Sequence, residues 1–284
     1  MTWFVKGHGL GNDYLVLDGR ETPFALSPAN VRRLCDRRRG VGAGGVLLLM
    51  PSDQADFGVR IFHRDGTELE TSGDGLRILA YTVYRHGYTD QTEMTLETRG
   101  GVVRARLEID GRKVRSAAVE IGEPAFRSSV IPASGPDREL IAETLTAAGQ
   151  ALRIAAVSVG SPHCVVEVDD VDQVDLPRLG PAIETHPLFP SRTNVEFAQV
   201  LDRGSIRIAI WQRGTGRIPA SGSGACAAAA VLHRRGRVDR RVEVQMEGGA
   251  LEVEIAGDGR LTLAGPVVEV CTGQLSGDLT AGLE

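Results

Sequence analysis

The sequence predicts an α+β fold of two pseudo-symmetric domains, each a curved, mostly antiparallel sheet wrapped around one central helix. Three observations predict it. A shift of 149 residues, the interval from Ser72 to Ser221, lays one half of the chain on the other without a gap. Ile61-Phe62-His63-Arg64, ending in Ser72-Gly73-Asp74-Gly75, falls on Ile210-Trp211-Gln212-Arg213, ending in Ser221-Gly222-Ser223-Gly224. Gly11, Gly87 and Gly100 fall on Gly160, Gly236 and Gly249. Next, most of the chain alternates apolar and polar residues with the two-residue period of half-buried strands. Finally, helical spacing recurs at one matching place in each half. A duplicated unit of this kind folds as two similar domains, and residues repeated once per half can then face one cleft from opposite sides.

Taken in order, the strands of the first half are Thr2 to Lys6, Asp13 to Asp18, Val46 to Met50, Gly58 to His63 and Thr92 to Glu97. Val102 to Ile109 and Lys113 to Ile121 follow as a hairpin about Asp110-Gly111. Those of the second half are Arg153 to Val159, Cys164 to Val168, Val195 to Val200, Ser205 to Gln212, Val242 to Glu247, Leu251 to Ile255 and Leu261 to Leu263. The turns Glu247-Gly248-Gly249 and Gly257-Asp258-Gly259 supply the glycine that hairpins need. From Gly75 to His86, Leu76, Leu79, Ala80 and Val83 recur at helical spacing, with Gly87 as the stop. The shifted equivalents are Ala225, Ala228, Ala229 and Leu232, with Gly236 as the stop. The alanine run from Ala227 to Ala230 keeps this second helix thin, so a sheet can close around it. Peripheral helices are expected near Pro28 to Arg37 and Glu139 to Ala148. The strand Val267 to Cys271 is expected to cross back to the first domain. Domain boundaries are therefore 1–121 plus 267–284, and 122–266, linked near Gly122 to Phe126, with the active site in the cleft between them.

Composition narrows the function. At 284 residues the chain has room for two cores, and a hydrophobic content of 42% can fill them. A net charge of −5 argues against a nucleic-acid or anionic-membrane partner, and the basic clusters Arg37-Arg38-Arg39 and Arg234-Arg235 read as solvated helix ends. No apolar run of about 18 residues, signal peptide or lipidation motif is present, so a soluble cytoplasmic protein is expected. Cys35, Cys164, Cys226 and Cys271 show neither CxxC spacing nor a disulfide framework and read as reduced thiols, mostly buried. No metal-ligand spacing is visible, and no cofactor is expected. Gly9-Leu10-Gly11 resembles the start of a dinucleotide loop but lacks its third glycine. Exposed strands at domain edges are compatible with a homodimer.

A helix start carries unpaired N–H groups and about half a positive charge, which suits an anion. Both central helices begin Ser-Gly-X-Gly, where glycine lets the backbone approach a ligand closely. A single Ser-Gly reads as an N-cap. A matched pair in a gapless repeat points further, to a carboxylate held as its α-carbon loses a proton, with Ser72 and Ser221 flanking that carbon. Gly73, Asp74, Gly222 and Ser223 would line the carboxylate.

These residues also carry a resemblance. Lys6-Gly7-His8-Gly9-Leu10-Gly11-Asn12-Asp13-Tyr14 resembles the opening of diaminopimelate epimerases. So do Asp65-Gly66-Thr67-Glu68, Ser72 to Arg77, Gly160-Ser161-Pro162-His163-Cys164, Thr193-Asn194, Arg213-Gly214 and Ala220 to Cys226. The likeness runs over essentially the whole chain. It implies the duplicated epimerase fold, and stereo-inversion of an amino acid by two acid/base residues without pyridoxal phosphate or metal. It implies also that Asn12, Asn194 and Arg213 position the distal end of the substrate. The family's acid/base cysteines fall at Ser72 and Ser221. Where the family has Asp-Gln this chain has Gly44-Gly45, and His63, Ser161 and Gln212 stand for Asn, Asn and Glu. Changes this widespread point to natural divergence rather than to isolated replacement of two cysteines.

A thiol with a pKa near 8.5 can be tuned to a thiolate, whereas an alkyl hydroxyl cannot form a resting alkoxide without a strong neighbouring base. Two-base inversion through the serines alone should therefore be severely impaired. His163 and His63 are the candidate replacement bases, since imidazole titrates near neutrality. Three functions stay open: epimerisation of diaminopimelate or a relative, a different proton shift on a more acidic carbon, as in phenazine-pathway and methylitaconate-type isomerases, or binding without chemistry.

Overall fold

The computed structural model describes residues 2–111 and 113–283. The chain divides into two compact units, Met1–Glu120 with Ala264–Glu284, and Ile121–Leu263.

The first unit contains β1 (Trp3–Gly9), β2 (Asn12–Asp18), α1 (Pro28–Cys35), β3 (Gly45–Met50), β4 (Phe57–His63), β5 (Glu68–Leu69), α2 (Gly73–Arg85), β6 (Glu93–Thr98), β7 (Gly101–Asp110) and β8 (Lys113–Gly122). Hydrogen-bonded neighbours run β1, β2, β3, β4, β6, β7, β8, antiparallel except for β2–β3 and β4–β6. The helix α2 packs on β1, β2, β3 and β7. Leu76, Leu79, Ala80 and Val83 are fully buried there, and each leucine buried contributes roughly 1.5–3 kcal/mol. On β2, Leu15 and Leu17 point to a core shared with Val31 and Leu34 of α1. Their neighbour Tyr14 points oppositely, to the start of α2, as the two-residue period requires. Burial on both faces explains why β2 and β3 read as nearly continuous apolar runs.

The second unit contains β9 (Glu143–Ala147), β10 (Gln150–Ser158), β11 (Pro162–Glu167), α3 (Leu176–Glu184), β12 (Asn194–Asp202), β13 (Ser205–Gln212), β14 (Gly216–Ile218), α4 (Gly222–Arg234), β15 (Arg241–Met246), β16 (Gly249–Ile255) and β17 (Leu261–Gly265). Here the parallel pairs are β11–β12 and β13–β15, the counterparts of β2–β3 and β4–β6. The repeat holds to the residue: α4 is α2 moved by 149, and the parallel partners Tyr14–Gly45 become His163–Asn194. The helix α4 packs on β10, β11, β12, β13, β15 and β16, with Ala225 to Leu232 buried. The last strand, β18 (Val268–Gln274), pairs with β1 and so belongs to the first unit.

One expected helix is absent. Glu143–Ala147 within the segment Glu139 to Ala148 is the strand β9, paired antiparallel with β10. Thr144 and Thr146 face solvent while Leu145 and Ala147 are buried, a period of two. Ala142 sits in the left-handed region (φ 60°), which a continuous helix excludes. Ala148 and Gly149 (φ 48° and 75°) form the tight hairpin turn to β10. Conversely α3, broken up in sequence by Pro177, Gly180 and Pro181, is a helix that the pattern did not announce. Its Gly180 has a structural reason, since a Cβ there would lie 2.6 Å from the Trp211 ring.

Candidate active site

Each central helix opens on a serine with extended backbone, Ser72 (φ −156°) and Ser221 (φ −150°). Ser72 Oγ accepts the Gly75 N–H at 3.1 Å, and Ser221 Oγ accepts the Gly224 N–H at 3.0 Å. The first intrahelical bonds run from Leu76 to Ser72 and from Ala225 to Ser221. The N–H groups of Gly73 and Asp74, and of Gly222 and Ser223, precede those bonds and have no helical acceptor. Both serines are thus N-caps, and both helix starts present backbone donors.

The surroundings of the two serines differ. Tyr14 Oη lies 3.1 Å from Ser72 Oγ. Burial pushes the Tyr14 phenol up to about 12, so it is neutral at physiological pH. Behind Ser72, Asn12 Nδ2 donates to Asp74 Oδ2 at 2.9 Å, which brings those two expected residues together. Asp74 also pairs with Arg77, a guanidinium with no solvent exposure that donates to the Pro266 carbonyl at 3.3 Å. Gly9 makes room for it, since a Cβ there would lie 2.9 Å from Arg77 Nη2. Gly9-Leu10-Gly11 is therefore the turn of the β1–β2 hairpin, not a loop leading into a helix.

His63 ends β4 opposite Gly45, and its Nδ1 lies 3.1 Å from Asp65 Oδ2. Asp65 is lowered to about 2, chiefly by the Thr67 N–H, against partial burial and with help from His63. Its imidazole is more than a third exposed.

In the second unit His163 is wholly buried, with both ring nitrogens engaged: Nδ1 lies 2.7 Å from Glu196 Oε1, and Nε2 3.0 Å from Ser161 Oγ. His163, one of the two candidate replacement bases, is thus shielded from solvent, with Ser161 on the ring nitrogen that does not face Glu196. Burial pushes the Glu196 carboxyl up, opposed by the charge and hydrogen bond of His163. A Cβ built on Gly224 would lie 2.9 Å from Glu196 Oε1 and 3.2 Å from Ser221 Oγ, so the histidine–glutamate pair borders the start of α4. Ser221 Oγ also lies 3.3 Å from Ser223 Oγ. Asn194 donates to the Pro162 carbonyl at 3.0 Å and accepts the Arg213 N–H at 3.0 Å. The Arg213 guanidinium donates to the Ser191 carbonyl at 3.1 Å.

Tyr14 and Glu196 were not singled out from sequence, although the shift that carries Tyr14 onto His163 was a readable signal. Cys35 and Cys164 are not poised as thiolates. Burial pushes Cys35 up to about 12 and raises Cys164 as well. Among the described residues no cluster of three or more His, Cys, Asp or Glu could hold a metal, and no helix is long and apolar enough to cross a membrane.

The family model for diaminopimelate epimerase matches residues 4–126 and 155–274. The chain belongs to the diaminopimelate epimerase family. Among curated members of that family, the diaminopimelate epimerase of Desulforudis audaxviator is 41% identical over 273 residues, covering 95% of this chain and 98% of that protein. Diaminopimelate epimerase 2 of a Nostoc species is 40% identical over 279 residues, covering 98% and 97%. Solved structures share the fold at lower identity. A hydroxyproline epimerase from Agrobacterium vitis with bound trans-4-hydroxy-L-proline superposes with a TM-score of 0.71 at 20% identity, covering 98% of this chain and 93% of that one. A methylitaconate-delta-isomerase gives 0.64 at 12%, covering 96% and 95%.

Proposed function

We propose that this member of the diaminopimelate epimerase family is a cofactor-independent epimerase acting at the α-carbon of diaminopimelate or a closely related amino acid. The observation that carries this reading is the matched pair of helix starts, each with a serine at its N-cap and backbone donors ahead of the first helical bond. Such donors stabilise the negative charge that develops on a carboxylate as its α-carbon is deprotonated. Ser72 and Ser221 are assigned to the carboxylate and its α-carbon, Asn12, Asn194 and Arg213 to the distal end, and His63 to the rim. The family names of relatives near 40% identity support diaminopimelate as the first substrate to try.

The test is incubation with LL- and meso-diaminopimelate in deuterated water, followed by NMR. Exchange of the α-proton accompanied by inversion is expected. Binding without exchange would overturn the epimerase reading and leave a proton shift on a carbon already activated by a double bond or ketone, or binding alone. That second reading is favoured by one observation: the neutral Tyr14 beside Ser72 makes this a weak base, adequate for an acidic carbon only. Introducing thiols at both positions (Ser72→Cys with Ser221→Cys) is expected to raise exchange by about 10²-fold or more, because a thiol ionises far more readily than an alcohol.

A further inference from the structure

The parallel pairing of β11 with β12 sets His163 opposite Asn194, with Glu196 two residues further along the same face of β12, and Ser161 lies just ahead of β11. Glu196 Oε1 is 2.7 Å from His163 Nδ1, and His163 Nε2 is 3.0 Å from Ser161 Oγ. The carboxylate and the imidazole have no solvent exposure, whereas Ser161 is partly exposed. We propose that Ser161, His163 and Glu196 form a proton relay in which the Ser161 hydroxyl is the base that takes the substrate proton. The proposal rests on the epimerase reading and deepens it by naming a base.

The order of the groups is that of serine–histidine–carboxylate sites, recognised by geometry and roles rather than by position in the chain. A carboxylate at Nδ1 holds the proton on that nitrogen and leaves the Nε2 lone pair facing the serine O–H. No resting alkoxide is needed. As the C–H bond of the substrate breaks, its proton bonds to Ser161 Oγ, and the original Ser161 proton passes to His163 Nε2. The electron pair stays on the α-carbon, delocalised into the carboxylate. His163 becomes an imidazolium against Glu196, and an opposite charge at hydrogen-bonding distance stabilises a carboxylate that burial otherwise disfavours. Glu196 Oε2 is buried without a hydrogen-bond partner, so His163 is the group that compensates this carboxylate.

Position supports the assignment. The 149-residue shift carries Asn12, tied to the first turn of α2, onto Ser161. The dyad borders the start of α4 through Gly224. At the equivalent positions of the first unit stand Tyr14 and Leu47, a neutral phenol and a hydrocarbon. The relay is therefore built into one copy of the duplication, and removal of a proton from one face should outpace removal from the other. Exchange with retention is expected to run ahead of inversion.

The first test needs no substrate. A fluorophosphonate, which forms a P–O bond to an activated serine and releases fluoride, is expected to label Ser161 in the intact protein, as read by peptide mass mapping. The label should vanish in Ser161→Ala, a change at a partly exposed site. Glu196→Gln is expected to slow labelling by on the order of 10²–10⁴-fold and to abolish the downfield N–H resonance of His163. No label on Ser161, or equal labelling in Glu196→Gln, overturns the relay; should Glu196→Gln not fold, labelling of the wild-type protein decides. The second test is α-proton exchange of diaminopimelate, where Ser161→Ala should lose about 10²-fold in kcat. Undiminished exchange in Ser161→Ala overturns the relay and leaves the epimerase reading standing. Labelling of Ser161 without any exchange upholds the activated serine and overturns diaminopimelate as its substrate.

Discussion

Replacing Ser72 by alanine should destabilise the protein more than replacing Ser221, although the two serines cap helices of equal length. Loss of an N-cap costs about 1 kcal/mol at either site. At Ser72 the same hydroxyl partners the phenol of Tyr14, which is 4% exposed. Orphaning a buried hydroxyl adds about 1–3 kcal/mol. Ser223, the partner of Ser221, is only half-buried and can turn to water. Ser72→Ala should therefore cost about 2–4 kcal/mol and Ser221→Ala about 1 kcal/mol. Urea titration followed by circular dichroism measures both, and Trp3→Phe leaves Trp211 to report the second unit alone. In a Tyr14→Phe background the cost of Ser72→Ala should fall to that of the bare cap. Equal losses at the two serines, or no relief from Tyr14→Phe, would refute the claim that Tyr14 depends on Ser72.

Further outcomes follow from the same geometry. A Cβ on Gly45 would lie 2.4 Å from the Phe62 carbonyl and 2.5 Å from the Tyr14 ring, so Gly45→Ala should cost about 1–3 kcal/mol in urea titration. Arg77→Met should cost about 3–5 kcal/mol by stranding the buried Asp74, and adding Asp74→Asn should recover part of the loss in the same titration. Burial pushes the Asp13 carboxyl up, but the Arg37 hydrogen bond and charge, with Lys6 and the Gly44 N–H, outweigh it and hold the net pKa low. A lowered folded-state pKa means that this stabilisation is complete above the ordinary carboxylate range near 4 and fades as pH falls below it. Asp13→Asn should thus flatten the acid limb of stability against pH, read from urea midpoints.

Much of the architecture was legible because duplication doubles every local signal. Neither the serine caps nor the glycine stops would bear much weight alone, yet repeated at one interval they define α2 and α4 to the residue. Where a segment had no counterpart, local pattern misled. Ile141, Leu145 and Ala148 can be read as a helical stripe, and only the positive φ at Ala142 and pairing with β10 make the segment a strand. At the candidate site, the sequence identified His163 as chemically suited to proton transfer. It could not reveal that Glu196, 33 positions away, occupies one ring nitrogen, because that contact arises from the parallel register of β11 and β12. Nor could it distinguish the environments of two serines with the same motif, since Tyr14 meets Ser72 only where β2 packs at the start of α2.

The strand β18 has a consequence for synthesis on the ribosome. The second unit is continuous in the chain, so all its residues emerge together and can fold as they leave the exit tunnel. The first unit is translated earlier yet lacks its edge partner for β1 until residues 268–274 appear. Nascent β1 therefore waits with unpaired backbone groups through the translation of an entire second domain, a period during which intermolecular strand pairing competes with correct closure.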